Sequence, residues 1–242
     1  MNDNIENPQR RKVIIGLIGA TAAATLAATP RRSPAAAPGK SPACVARPKQ
    51  TEGPFFIDEK LDRSDIRADP ADGMRKAGAE LHLAFNVLRL DGSACKPLAG
   101  AVVDIWHCDA AGHYSGVMDG SLDTRGKKFL RGYQATDDDG RARFVTIYPG
   151  WYEGRAVHIH FKIRTGAAVR GAREFTSQLY FDDALSDAVF ANAPYAARGK
   201  NGRRNADDGL YRRGGNELLL TPMRDARTNI YAATFDIGLE MK

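Results

Sequence analysis

At 242 residues, with 43% hydrophobic and 26% charged side chains, the chain carries too much apolar material to stay disordered and enough to fill one large β domain. Its formal charge of +6 comes from scattered basic residues, with small pairs such as Arg203-Arg204 and Arg212-Arg213, and no long Lys/Arg run or aromatic-interleaved basic face argues for nucleic acid. The three cysteines, Cys44, Cys95 and Cys108, include no Cys-x-x-Cys pair, so a structural zinc site has no support, and one disulfide plus a free thiol stays open.

Residues 1–30 have the build of an export signal. Pro8-Gln9-Arg10-Arg11-Lys12 precedes the apolar run Val13-Ile14-Ile15-Gly16-Leu17-Ile18-Gly19, which fades into Ala and Thr up to Thr29. Paired arginines ahead of a weakly hydrophobic stretch resemble a twin-arginine signal, which predicts a periplasmic or extracellular protein with no stable membrane insertion after export. Residues 31–43, rich in Pro and Ala, cannot bury a core and read as a flexible spacer. Residues 44–242 are expected to form the folded domain.

That domain opens on an arm, Thr51-Glu52-Gly53-Pro54-Phe55-Phe56-Ile57, expected to dock its phenylalanines on the body. Leu81, Leu83, Phe85 and Val87 alternate with His82, Ala84, Asn86 and Leu88, the period of a strand, with His82 on the face away from the apolar set. Residues 101–106 form the next strand and run into a tight, Gly-containing loop that presents Tyr114. Strands over 130–135 and 142–147 are joined by Asp137-Asp138-Asp139-Gly140, which lacks the rest of a calcium loop and reads as a turn. Val157, Ile159, Phe161 and Ile163 alternate with His158, His160 and Lys162, so the apolar set faces a core and both imidazoles leave the other face together. Residues 175–181 and 231–239 give two more strands, with a short helical stretch and loops between them. Short strands, frequent turns and little helix predict an all-β, antiparallel β-sandwich.

Two imidazoles one strand repeat apart, a Pro-Gly turn delivering Tyr152 just before them, and Tyr114 on its loop make a candidate metal site. Phenolates are hard anionic donors. Two of them with two neutral imidazoles offset most of the charge of a trivalent ion, which favours ferric iron over zinc or copper(I).

The collected motifs resemble the intradiol ring-cleavage dioxygenases, the family of catechol 1,2-dioxygenase and protocatechuate 3,4-dioxygenase. The resemblance rests on Thr51-Glu52-Gly53-Pro54-Phe55, Asp104-Ile105-Trp106-His107-Cys108-Asp109 with Gly112-His113-Tyr114, Pro149-Gly150-Trp151-Tyr152, Arg155-Ala156-Val157-His158-Ile159-His160-Phe161 and Ser177-Gln178-Leu179-Tyr180-Phe181. It implies a non-haem Fe(3+) cofactor on Tyr114, Tyr152, His158 and His160, with Tyr148 the competing second tyrosine. It implies Arg155 as the active-site cation, Gln178 completing the pocket, and Tyr152 as the labile phenolate that takes a substrate proton. The partners implied are a catecholic substrate and O2, the product a cis,cis-muconate-type diacid. Homo-oligomers occur in the family, but nothing in the sequence sets a subunit number. The family often has Arg-Pro-Ala-His where this chain has Arg-Ala-Val-His, and residues 166–173 look like extra loop. The competing readings are a secreted, non-catalytic β-sandwich binding module with a relic site, and a zinc or copper protein using the histidines alone.

Overall fold

The computed structural model describes residues 44–91, 94–120, 122–166 and 173–240. The expected export signal (1–30), the spacer (31–43) and most of the extra loop (167–172) lie outside the described residues. In chain order the strands are β1 (Glu80–Asp91), β2 (Ala94–Pro97), β3 (Val102–Trp106), β4 (Met118–Asp119), β5 (Leu122–Asp123) and β6 (Arg131–Ala135). They continue with β7 (Arg141–Ile147), β8 (His158–Arg164), β9 (Glu174–Phe181), β10 (Leu219–Leu220), β11 (Met223–Arg224) and β12 (Tyr231–Glu240). The helix α1 (Asp183–Phe190) starts where the Asp182 side chain accepts from the amides of Ala184 and Leu185, two donors that a first helical turn cannot satisfy internally.

Alternation builds both layers. In β1, Leu81, Leu83, Phe85 and Val87 are buried while His82 faces out against Glu80. One sheet runs β11-β12-β1-β2, with β7 also on β1; the other runs β10-β9-β8-β3-β6. Phe85 of the first sheet meets Phe161 of the second at 5.4 Å between ring centres, and Phe235 lies 6.0 and 5.6 Å from the two. These rings are the centre of the core, and tilted or edge-on pairs of this kind add stabilisation beyond their buried area.

The sandwich is as expected, but its sheets are mixed rather than purely antiparallel. β1 and β12 pair in parallel from Leu81↔Tyr231 to Leu90↔Glu240, and β10 pairs in parallel with β9. Period-two patterning is identical for both directions, so it cannot report which one a strand takes. A parallel pair needs a long crossover, and here nearly the whole domain lies between its first and last long strands. The Asp137–Gly140 turn also does more than join neighbours. β6 pairs with β3 and β7 with β1, so the turn carries the chain from one sheet to the other.

Cys44 and Cys95 form a disulfide with Cα atoms 6.0 Å apart, tying the root of the arm to β2. Cys108 is free and buried. Among the described residues, no helix is long and apolar enough to cross a membrane.

Candidate active site

The site lies on the face of the second sheet that turns away from the core. Ile159, Phe161 and Ile163 of β8 are fully buried in the core. His158 and His160 therefore leave the opposite face, beside β9 and β3 in the registers His158↔Tyr180, His160↔Gln178 and Trp106↔His160. That face is not solvated. His158 and His160 are 2% and 1% exposed, because loops and the N-terminal arm roof it.

Each roof element has a local cause. Lys162, two residues after His160 on the same face, pairs with Glu52 and Glu174 and sits 4.0 Å from the ring of Phe56, which pins the arm to the sheet. Gly53 lets the arm pass close over His160: its φ is +73°, and a Cβ there would lie 3.1 Å from Cε1 of that ring. Phe55 then stacks on Tyr114 at 4.4 Å and Phe56 packs on Trp106 at 4.8 Å, so the expected docking of both rings is found. The Tyr114 loop is tied by Asp109, whose side chain accepts from the amides of Ala111 and His113, and by Thr124, which donates to the Tyr114 carbonyl. Gly150 packs so closely on this loop that a Cβ would lie 2.4 Å from the Asp109 carbonyl oxygen, which sets the turn leading to Tyr152.

The four predicted donors converge. Nε2 of His158 is 3.4 Å from the Tyr114 hydroxyl, 3.2 Å from the Tyr152 hydroxyl and 3.1 Å from Nε2 of His160. Nδ1 of His158 lies 2.7 Å from the Ala156 carbonyl, an acceptor only, so the ring proton sits there and Nε2 turns a lone pair to the centre. Nδ1 of His160 is buried with no hydrogen-bond partner, and its ring stacks on Trp106 at 5.0 Å. Tyr148 is elsewhere. It is buried against Phe181 and Phe190 and shares a hydrogen bond with Ser186, so the competing second tyrosine does not reach the site.

Burial governs the ionisation of all four groups. Burial pushes the Tyr114 hydroxyl well up, and pushes Tyr152 up to about 12 against the opposing pull of Arg155. Burial, with Arg155 beside it, takes His158 down to about 3, and burial with His158 nearby takes His160 well below its ordinary value. The imidazoles are thus held neutral with lone pairs available, and burial keeps the protons on both phenols. Among the described residues no group of three or more His, Cys, Asp or Glu side chains is placed to hold a metal.

Arg155 and Gln178 join this set. The Arg155 guanidinium donates from Nη1 to the Tyr152 hydroxyl at 3.5 Å and from Nη2 to Oε1 of Gln178 at 2.6 Å. Gln178, fully buried, donates in turn to the Thr51 carbonyl at 3.0 Å. It therefore orients the arginine and the arm. Sequence reasoning did not single out three further polar groups: Tyr180, whose hydroxyl donates to Gln50 and lies 3.4 Å from Arg155 Nη2; Gln50 itself; and Asp208, whose carboxylate accepts from Arg155 Nε at 2.8 Å. Tyr180 could have been found as the residue two after Gln178 on the same strand face. Asp208 lies in a loop with no periodic signal.

A family model described as dioxygenase matches residues 51–239, and the chain belongs to this family, the intradiol ring-cleavage dioxygenases. The protocatechuate 3,4-dioxygenase beta chain of Burkholderia cepacia is 37% identical over 114 residues, covering 43% of this chain and 47% of that protein. Catechol 1,2-dioxygenase 1 of Acinetobacter lwoffii is 27% identical over 165 residues, covering 56% and 49%. The chain spans about half the length of these two curated relatives. Among solved structures, an intradiol ring-cleavage dioxygenase from Tetranychus urticae is 30% identical with a TM-score of 0.68, covering 81% of this chain and 95% of that one. The dioxygenase domain of a dioxygenase–carbohydrate-binding protein fusion from Streptomyces sp. SirexAA-E is 28% identical with a TM-score of 0.56, covering 82% and 100%.

Proposed function

We propose that the chain is an Fe(III)-dependent intradiol dioxygenase that opens a catecholic ring with O2 to a cis,cis-muconate-type diacid. The observation that carries this reading is the meeting of two phenols and two neutral imidazoles around Nε2 of His158, with Arg155 against one of the phenols. Tyr114, Tyr152, His158 and His160 would hold the iron. Bound iron supplies the Lewis-acid and redox chemistry that lets a catecholate react with O2.

The remaining steps belong to the protein. Tyr114 is 3% exposed and stacked under Phe55, a fixed donor. Tyr152 is only partly buried, and as a phenolate its Oη would take a proton from the incoming catechol and become the neutral phenol. Arg155, next to that oxygen, presents a fixed cation where negative charge grows as the ring opens. Phe55 and the arm keep water from the reacting face.

The test is the visible spectrum of the iron-loaded protein. A phenolate-to-iron band that shifts to longer wavelength on adding catechol or protocatechuate without oxygen is expected. Admission of O2 should then release a muconate-type diacid. A protein that stays colourless after iron reconstitution would overturn the reading in favour of the binding module.

Export by residues 1–30 is proposed on the twin-arginine pattern, and the Cys44–Cys95 disulfide suits an oxidising compartment. A reporter fused after residue 40 is expected outside the cytoplasm; retention inside would overturn it.

A further inference from the structure

The loop that follows α1 returns to the start of β8 and grips it at Arg155 and Ala156. Asn201 donates from Nδ2 to the Arg155 carbonyl at 2.9 Å. Asp208, 1% exposed, does more. Its Oδ2 accepts from Nε of Arg155 and from the amide of Ala156, both at 2.8 Å. Its Oδ1 accepts from the amides of Leu210 at 2.7 Å and Tyr211 at 3.2 Å. Both oxygens of one buried carboxylate are therefore committed, one pair of bonds to the arginine and its neighbour, the other to the loop.

The Ala156 bond exists because position 156 has an N–H. Arg-Ala-Val-His supplies that donor, and a proline at the same place could not. On the far side, Gln178 accepts from Nη2, so the guanidinium is held at Nε and Nη2 and leaves Nη1 towards Tyr152. Arginine is a long, many-rotamer side chain, and a charge-assisted bond at Nε selects one of those rotamers. The same loop also fixes the arm, since Gln50 donates to the Leu210 carbonyl at 2.8 Å.

We infer that Asp208 is the positioning residue for Arg155, clasping its Nε and the Ala156 amide so that Nη1 faces the Tyr152 hydroxyl. The effect on turnover rests on the ring-cleavage reading; the clasp does not.

Two measurements test it. In metal-free protein, NMR of the arginine side chains should show, among the slowly exchanging Nε–H groups, one that is lost in Arg155→Lys and exchanges fast in Asp208→Ala. In the iron-loaded enzyme, Asp208→Ala should lower kcat by about ten- to a hundredfold, the penalty of a misplaced reacting group. The resting phenolate-to-iron band should shift, because Nη1 no longer faces the Tyr152 oxygen, while the anaerobic catechol Kd should be little changed. Asp208→Asn has one oxygen for two pairs of donors and should fall between wild type and alanine; it serves if the alanine variant fails to fold. The effects of Asp208→Ala and Arg155→Lys should not multiply, because the first acts through the second. Wild-type kcat in either folded Asp208 variant, losses that multiply, or an Nε–H indifferent to Asp208 would each overturn the inference. A protein that never develops the iron band defeats the ring-cleavage reading instead, and the NMR measurement then decides the clasp alone.

Discussion

Replacing His158 with alanine is expected to strip the protein of iron and lower ring cleavage by more than about a hundredfold, since even changes to groups that only support a metal ligand cost about 10- to 100-fold. His158 is the choice because its Nε2 lies within 3.4 Å of all three other donor atoms. The substitution removes the imidazole nitrogen that Tyr114, Tyr152 and His160 all approach, one of two uncharged donors. It also strands the Ala156 carbonyl, which now faces Nδ1 at 2.7 Å. Iron content per chain and the visible band are the readouts, with a thermal melt to show that the sandwich persists. A variant that stayed coloured and active would place the metal somewhere other than this face of β8.

Replacing Phe161 with alanine is expected to act on the fold. Phe161 is the next residue along β8 after His160 but points the other way, fully buried against Phe85, Phe175 and Phe235. Removing a buried phenyl ring from a close-packed core costs about 3–5 kcal/mol, from the lost transfer energy and the cavity left behind. Domain stabilities are only about 5–15 kcal/mol, so the loss should bring the unfolding midpoint in urea down steeply or leave the variant unfolded. Iron binding should fall only as far as folding does. A variant with wild-type midpoint would mean that the two sheets do not meet at this ring. The contrast between neighbouring residues follows from the pleat, which sends adjacent side chains into different chemical worlds.

The same pleat explains what could be read without the structure. The alternation in 157–163 placed Val157, Ile159, Phe161 and Ile163 inside and both histidines together on the other face, and all of those residues lie where the period puts them. The Pro-Gly turn before Tyr152, the Gly-containing loop presenting Tyr114 and the docking of Phe55 and Phe56 were also legible, because glycine, proline and large aromatics act locally. His82, opposite the apolar set of β1, is on the surface as that set requires.

What the sequence could not supply is anything carried by pairing partners or by loops meeting across the fold. Alternation has no direction, so the parallel pairing of β1 with β12 was hidden, as was the passage of the chain between sheets at Asp137–Gly140. Which side of the turn carries its tyrosine to the histidines was hidden too: Tyr152 lies beside His158, and Tyr148 is buried near α1. Asp208 carries no local pattern at all. Its role depends on the loop after α1 folding back over the start of β8, a meeting of groups 53 positions apart in the chain. Local backbone sterics determine which face a side chain takes. Only the closure of the sandwich, with its buried core and satisfied hydrogen bonds, determines which distant groups stand together on that face.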